Sequence, residues 1–125
     1  MKTSTLAAVA AAVTIALAGC GGSSNKELSY SGLISKSNEL CRDGQAEFAK
    51  VQAPDAAAKV LDKYLKKFKD LKPPKELKAP FDEFVSVTEE QVALLRKGDV
   101  KGFNRLNARS NEIASRLGAK DCISE

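Results

Sequence analysis

The sequence predicts an all-α protein, an antiparallel up-down-up-down bundle of four helices. From about residue 27 onwards, apolar residues recur at spacings of three and four, which is the period of a helix with one buried face. Glycine and proline fall between these periodic segments, where they end helices and begin turns. The sequence has no Asn-Gly hairpin signal and no long alternating run of β-branched residues, so strands are not expected. Short links between helices favour neighbours that run in opposite directions.

The first two helices are predicted over residues 27–52 and 54–71. Pro54 separates them, because proline is unfavourable inside a helix but acceptable in its first turn. Asp55 follows it, where a negative charge interacts favourably with the helix N-terminus. The Pro-Pro pair that begins at Pro73 then ends the second helix.

The third helix is predicted to begin at Pro80 and to end at Gly98, after a short turn over residues 75–78. The fourth helix is expected to start at its N-cap, Asp99, and to end immediately before Gly118. Glycine is a suitable C-cap because it readily adopts the left-handed conformation that ends many helices.

The N-terminal segment has the pattern of an export signal. Lys2 precedes an uncharged apolar run over residues 6–17, which is shorter than the roughly 20 residues that a membrane-spanning helix needs. The run leads into Leu17-Ala18-Gly19-Cys20, which resembles the lipobox of bacterial lipoproteins. This resemblance implies removal of residues 1–19, acylation of Cys20 and a membrane anchor on the extracytoplasmic side. The alternative is an ordinary signal peptide in which Cys20 has no role.

On the lipoprotein interpretation, residues 20–27 are a lipidated flexible spacer and residues 28–125 form the helical domain. Cleavage removes one lysine and no acidic residue, so the formal charge falls from +4 to +3. This excess of basic residues is small compared with that of nucleic-acid-binding domains, and we expect no nucleic-acid partner.

The remaining cysteines are expected to form a disulfide. If Cys20 carries lipid, Cys41 and Cys122 are left, and an oxidising compartment favours a bond between them. Four or five extended residues after the fourth helix are enough to bring Cys122 back to Cys41. A redox or metal-binding pair is the alternative, but the chain has neither a Cys-x-x-Cys motif nor a histidine.

Essentially all of the mature chain resembles small bacterial lipoproteins, especially those of actinobacterial type. Besides the lipobox, the resemblance rests on three short motifs: Asn38-Glu39-Leu40-Cys41, Leu71-Lys72-Pro73-Pro74 and Leu117-Gly118-Ala119-Lys120-Asp121-Cys122. It implies a shared architecture and no particular chemistry, since these proteins are mostly uncharacterised and offer no catalytic residues to carry over.

The composition argues against an enzyme and against a cofactor or metal. The sequence has no histidine, which excludes histidine-based catalysis and histidine-ligated zinc or haem. Its one methionine is Met1. The paired carboxylates Asp82-Glu83 and Glu89-Glu90, like Asp99, fall at predicted exposed or capping positions, whereas acid–base catalysis usually needs a buried carboxyl group.

A lysine-rich segment, residues 66–78, connects the second helix to the third. Its lysines are Lys66, Lys67, Lys69, Lys72, Lys75 and Lys78. In an up-down bundle this lysine segment lies at the same end as the lipid anchor, where it would be attracted to an anionic membrane surface. The favoured interpretation is a solvated polar face, since lysine is a good helix former, and membrane contact is the alternative.

The fourth helix carries a stripe of asparagines and a stripe of arginines. These are Asn104, Asn107 and Asn111, with Asn38 facing them across the bundle, and Arg105, Arg109 and Arg116. Asparagine is a poor helix former, so the pattern indicates either interhelical hydrogen bonds or a polar ligand face whose arginines bind a carboxylate or phosphate. The structural explanation is favoured, because Glu112 can pair with Arg109 and Arg116.

Together these observations favour a membrane-anchored extracytoplasmic lipoprotein without catalytic activity, which binds or scaffolds at the cell envelope. Anionic lipid or an envelope protein would be its partner. A small-ligand carrier with its site between the helices is the alternative, and an enzyme using arginine and carboxylate residues is a weaker one. A carrier would contain a cavity of a few hundred Å³ with convergent polar groups, whereas a scaffold would have a filled core and an exposed patch.

Overall fold

The computed structural model describes residues 26–125, and within this range the protein is all-helical, as the sequence predicts. Its α-helices are α1 (Tyr30–Phe48), α2 (Pro54–Lys69), α3 (Lys78–Arg96) and α4 (Val100–Leu117). Single 3₁₀ turns precede α3, at Lys75–Leu77, and follow α4, at Lys120–Cys122. Residues 26–125 contain no β-strand. The predicted export signal, Cys20 and most of the spacer lie outside the described residues.

Helix α1 is shorter at both ends than the sequence predicts. Ser29 is its N-cap, because the residue has an extended backbone and its hydroxyl oxygen accepts a hydrogen bond from the backbone nitrogen of Gly32 at 3.0 Å. At the other end the helix stops at Phe48. The chain must become extended by Ala53, since the residue before a proline, here Pro54, disfavours the helical conformation.

The caps of α4 match the sequence prediction, whereas α3 starts earlier than predicted. The carboxylate of Asp99 accepts a hydrogen bond from the backbone nitrogen of Gly102 at 2.8 Å, and Gly118 ends α4 in the left-handed conformation with φ of 77°. Helix α3 begins at Lys78 rather than Pro80, because the preceding 3₁₀ turn leads directly into it. Pro80 is then still within the first turn, where its missing N–H is tolerated.

The helices pack in the order of the chain, but the first and last are separated. Helix α2 packs against α1 and α3, and α3 packs against α4. Helices α1 and α4 are not among the closely packed pairs, and the 3₁₀ turn Lys120–Cys122 contacts both of them.

The buried core divides into two clusters. The larger contains Leu33, Phe68, Leu77, Phe81, Phe84, Val87, Ile113, Ala114, Leu117, Ala119 and Cys122. The smaller contains Ala57, Ala58 and Leu95, with the partly buried Phe48, Val51, Leu61 and Phe103 packed against it.

The predicted disulfide is confirmed. Cys41 of α1 is bonded to Cys122, with the two Cα atoms 4.9 Å apart and 81 residues separating them in the sequence. The bond joins α1 to the C-terminal tail, by which we mean residues 118–125. The chain therefore returns to its first helix after completing the last.

Hydrogen bonds from α1 to Asp121 reinforce this connection. An Asp121 carboxylate oxygen accepts from Nη1 of Arg42 at 2.6 Å, and its backbone carbonyl accepts from Nε2 of Gln45 at 2.9 Å. The backbone nitrogen of Asp121 donates to Oδ1 of Asn38 at 3.0 Å. Three side chains of α1 thus fix one residue of the tail.

Removal of the disulfide is expected to be strongly destabilising. We predict that the double substitution Cys41→Ser/Cys122→Ser lowers the free energy of unfolding by about 4 kcal/mol, because a cross-link across a long loop restricts the unfolded chain. Urea unfolding followed by circular dichroism measures this loss. The unsubstituted protein under reducing conditions is the control and should match the variant. A loss below about 1 kcal/mol would contradict the prediction.

Candidate functional site

A cavity of about 380 Å³ lies between α1 and α4. All four helices and the C-terminal tail contribute to its lining, with residues of α2 and α3 as its floor. Its volume falls within the range of about 300–1,000 Å³ that is usual for small-molecule sites.

The cavity is bounded on one side by a direct contact between α1 and α4, and on the other by the C-terminal tail, which is joined to both helices. The rings of Phe48 and Phe103 stack with their centroids 5.9 Å apart. On the other side, the tail is joined to α1 by the disulfide and to α4 by Asn111, which donates to the Ser124 carbonyl at 2.7 Å and accepts from the Ser124 backbone nitrogen at 3.0 Å. The opening lies between the aromatic pair and the tail.

Most of the lining is apolar and comes from both core clusters. Phe68 and Phe84 belong to the larger cluster, and Leu61 and Phe103 to the smaller one. The buried side chain of Leu65 completes the floor. The cavity therefore occupies the region in which the two clusters would otherwise meet.

A buried amide provides the main polar group of the cavity. Gln91 is 5% exposed, and its Nε2 atom donates to Oδ1 of Asn107 at 2.8 Å, joining α3 to α4. Its Oε1 atom accepts no hydrogen bond from the residues that the structure describes. Each fully enclosed side-chain polar atom in that part of the chain has a partner, so this oxygen is at least partly accessible, and Gln91 lines the cavity. Thr88 also lines the cavity, but its hydroxyl donates to the Phe84 carbonyl at 2.8 Å.

A second polar group lies where α1 meets α2. The hydroxyl of Tyr64 and Nζ of Lys63 both donate to Oε1 of Glu47, each at 2.7 Å. The bond from Lys63, followed by that from Tyr64, lowers the pKa of Glu47 below its usual value. The bond to the Glu47 carboxylate, together with burial, raises the pKa of Tyr64 to about 12.

Gly44 permits the close approach of α1 to the Tyr64 ring. A Cβ atom at this position would lie 3.2 Å from the ring, which is closer than ordinary van der Waals contact. Nζ of Lys67 lies 4.8 Å from the centroid of the same ring. The ring is therefore enclosed by backbone on one side and contacted by an exposed cation.

The asparagines predicted as one polar stripe have different positions. Asn107 bonds to Gln91, and Asn104 lines the cavity while remaining exposed. Asn111 and Asn38 instead bind the backbone of the C-terminal tail. Two of the four predicted side chains thus lie at the cavity, and the other two hold one of its walls in place.

The arginines predicted for a ligand face do not line the cavity. Arg109 and Arg116 both bind Glu83 of α3, at 3.0 and 2.8 Å, rather than the Glu112 expected from the sequence. Arg105 is exposed. The arginines occupy a different stripe of α4 from Asn104 and Asn107, so a joint asparagine–arginine ligand face is not formed.

All six lysines of the lysine segment are exposed, and three of them pair with nearby carboxylates. These ion pairs are Lys66–Asp62, Lys69–Glu89 and Lys78–Asp82. The backbone nitrogen of Leu28 donates to the carbonyl of Lys72 at 2.9 Å. The beginning of the described chain therefore contacts the lysine segment directly.

Four of the five carboxylates considered for acid–base chemistry have structural partners, and the fifth, Glu90, is exposed. Asp82 and Glu89 each pair with a lysine, Glu83 binds two arginines, and Asp99 caps α4. Within residues 26–125, no group of three or more histidine, cysteine, aspartate or glutamate residues is arranged to hold a metal ion.

Comparison of the chain with protein-family models, curated proteins and solved structures found no match. None of the helices in residues 26–125 combines the length and the apolar character that crossing a bilayer requires.

The sequence prediction missed Gln91, Tyr64 and Glu47 as site residues. Gln91 follows Thr88 at helical spacing on the inner face of α3, so a polar residue at a core position was the available signal. The helical spacing of Tyr64 with its apolar neighbours predicts a core position, and only the structure shows its hydroxyl on Glu47. Because that contact joins α1 to α2, no sequence pattern within either helix predicts it.

The contact with Glu47 is expected to control the ionisation of Tyr64. In a Tyr30→Phe background, Tyr64 is the remaining tyrosine, and its absorbance should titrate at pH about 12. Glu47→Gln should lower this pKa, because it removes the negative charge that disfavours tyrosinate. The raised pKa also means that the bond stabilises the fold below pH 10.0 and ceases to do so as the pH rises towards about 12.

Glu39→Gln is the matched control for this titration, since Glu39 is an exposed acid of α1 that pairs with Lys36. It should leave the titration of Tyr64 unchanged. The prediction fails if Glu47→Gln also leaves it unchanged.

Proposed function

We propose that this protein is a membrane-anchored extracytoplasmic lipoprotein that binds a small ligand between its helices without transforming it. The cavity between α1 and α4 carries the proposal, because a volume of about 380 Å³, an apolar lining and a buried amide are features of small-molecule sites. From the sequence alone, scaffolding at the envelope ranked with binding as the leading role, and the carrier was the alternative. With the cavity, ligand binding becomes the favoured role and scaffolding the alternative.

The exposed surface gives less support to a scaffold. Among the described residues, the large apolar side chains with high exposure are Tyr30, Val100 and Ile123, which belong to three different segments. Docking surfaces usually present apolar side chains together in one patch. A non-catalytic role is supported by the ion pairs and caps made by four of the five candidate carboxylates, since a general acid or base must be available to its substrate.

We further propose that consecutive helices run in opposite directions, as the up-down-up-down prediction requires. Contacts between neighbouring helices support this. Residues near the start of one helix contact residues near the end of the next, and residues further along the first helix contact residues nearer the start of the second. The pairs are Leu28–Lys72 and Glu47–Lys63 for α1 and α2, Asp62–Arg96 and Phe68–Phe81 for α2 and α3, and Glu83–Arg116 and Gln91–Asn107 for α3 and α4.

The proposed anchor would hold the lysine segment near the membrane. Cys20, in its lipobox-like sequence, precedes the described residues by a chain that can extend to about 20 Å. The hydrogen bond from Leu28, the residue that follows this spacer, to Lys72 brings the start of the domain to the lysine segment. We propose that the lysines contact anionic headgroups, each contributing about 1 kcal/mol near such a surface.

Binding of an apolar molecule tests the proposed function. All the helices, the disulfide and both core clusters described here lie within residues 26–125, so a lipid-free form that begins at Gly21 keeps every described contact. We expect this form to bind pyrene saturably, with a change in pyrene fluorescence. Ser110 lines the cavity on α4, and Ser110→Phe should weaken the binding about tenfold, which corresponds to about 1.4 kcal/mol.

The control is Ser115→Phe, the same substitution at an exposed position of the same helix. It should leave pyrene affinity unchanged, and the unfolding midpoints of both variants show whether the fold is retained. Absence of saturable binding, or equal binding by the two folded variants, would contradict the proposed function.

Vesicle binding tests the orientation of the lysine segment. The lipid-free form should bind vesicles that contain phosphatidylglycerol more tightly than neutral phosphatidylcholine vesicles. The double substitution Lys72→Gln/Lys75→Gln should weaken the binding about fivefold per lysine, because each lysine contributes about 1 kcal/mol. Lys97→Gln/Lys101→Gln, near the link between α3 and α4, removes the same charge elsewhere and should have little effect. Equal binding to both kinds of vesicle would refute the proposed membrane contact.

A further inference from the structure

We propose that the cavity takes a neutral, mainly apolar amphiphile, such as a fatty alcohol or a monoacylglycerol, whose hydroxyl group donates a hydrogen bond to Gln91. This inference rests on the proposed ligand-binding function and specifies the chemical class of the ligand.

The charges around the cavity disfavour an anionic headgroup. Among the described residues, no lysine or arginine lines it. Of the two lysines beside the Tyr64 ring, Lys63 donates to Glu47 and Lys67 is exposed to water. A carboxylate or phosphate in the cavity would lose its hydration without gaining a cationic partner, which is unfavourable.

The buried part of the lining disfavours a cationic headgroup as well. Glu125 is the one acidic side chain in the lining, and it is exposed at the chain terminus. The carboxylate of Glu47 is occupied by bonds from Lys63 and Tyr64. A desolvated ammonium group would therefore find no free carboxylate in the buried part of the lining, so neither sign of charge is compensated in that part.

The polar and apolar parts of the cavity are arranged for an amphiphile. The Gln91 amide, with Asn107 beside it, lies towards the Phe103 end of α4. From there the floor continues through apolar side chains to Phe68 and Phe84. An alkyl chain would cover this apolar surface, while a hydroxyl at one end would donate to the accessible Oε1 atom of Gln91.

Gln91 can act in this way because its amide is held in place. Its Nε2 atom is bonded to Asn107 at 2.8 Å, which fixes the direction of the amide plane, and the side chain is 95% removed from solvent. A hydrogen bond to a preorganised, largely desolvated acceptor discriminates strongly against ligands that lack a donor or that carry an uncompensated charge.

Displacement of pyrene from the form that begins at Gly21 tests the ligand class. The competitors are decanol, decanoate and decylammonium, which share an alkyl chain and differ in their headgroup, at pH about 8, where the acid and the amine are charged. We expect decanol to displace pyrene at concentrations about tenfold lower than either ion, a ratio that corresponds to about 1.4 kcal/mol. Equal or better displacement by decanoate or decylammonium would overturn the inference while leaving the proposed function intact. Failure of pyrene itself to bind would overturn both.

A substitution within the cavity, with a matched control outside it, tests the role of Gln91. Gln91→Leu should lower the affinity for decanol about fivefold relative to that for pyrene, because the decanol hydroxyl loses its acceptor and pyrene forms no hydrogen bond. Gln52→Leu makes the same substitution at an exposed position that does not line the cavity, so this ratio of affinities should not change. Unchanged decanol affinity in a folded Gln91→Leu variant would overturn the assignment of Gln91.

Discussion

The attachment of the C-terminal tail to α1 is the interaction on which the shape of this protein depends. The disulfide and the side chains that bind Asp121 bring the tail to the first helix, while Asn111 holds Ser124 against the last. The tail therefore occupies one end of the space between α1 and α4, and the stacked Phe48 and Phe103 occupy the other. Helices separated in this way at both ends cannot close over the floor between them, so a cavity persists.

This arrangement has an energetic consequence, because a core that is interrupted by a cavity loses packing contacts. The two clusters each bury apolar surface, and side chains of both line the cavity. A cross-link that spans 81 residues offsets part of this loss by restricting the unfolded chain. Ion pairs at the surface add little by comparison, since exposed pairs contribute about 0–1 kcal/mol each.

The helical fold was largely predictable because its signals are local. The cap at Asp99, the C-cap at Gly118 and the break before Pro54 depend on residues within one turn of the helix end. Ser29 was missed, although it is also a local signal, because the periodic pattern begins before it. The disulfide was predictable for another reason: once Cys20 is assigned to lipid, only one pairing remains.

The cavity was not predictable in the same way, because it lies where α1 and α4 do not pack closely against each other. The helical spacing of the phenylalanines predicts that they lie in the core, and nothing in that spacing shows that Phe48, Phe68, Phe84 and Phe103 border unfilled space. The arginines illustrate the same limit. Glu112 was the natural partner within α4, but Glu83 of the neighbouring helix binds them instead, and it keeps them outside the cavity.

Because a disulfide fixes one wall of the cavity, the cavity is complete only after that bond has formed. Such bonds form in oxidising compartments and rarely inside the cell. In a chain that is still reduced, the tail is held to α1 by hydrogen bonds, the Arg42–Asp121 ion pair and core packing, all of which break and re-form far more readily than a covalent link. On the proposed localisation, the complete cavity therefore forms only after export. On the proposed function, a reduced chain would bind its ligand poorly, and binding would begin once the disulfide has formed.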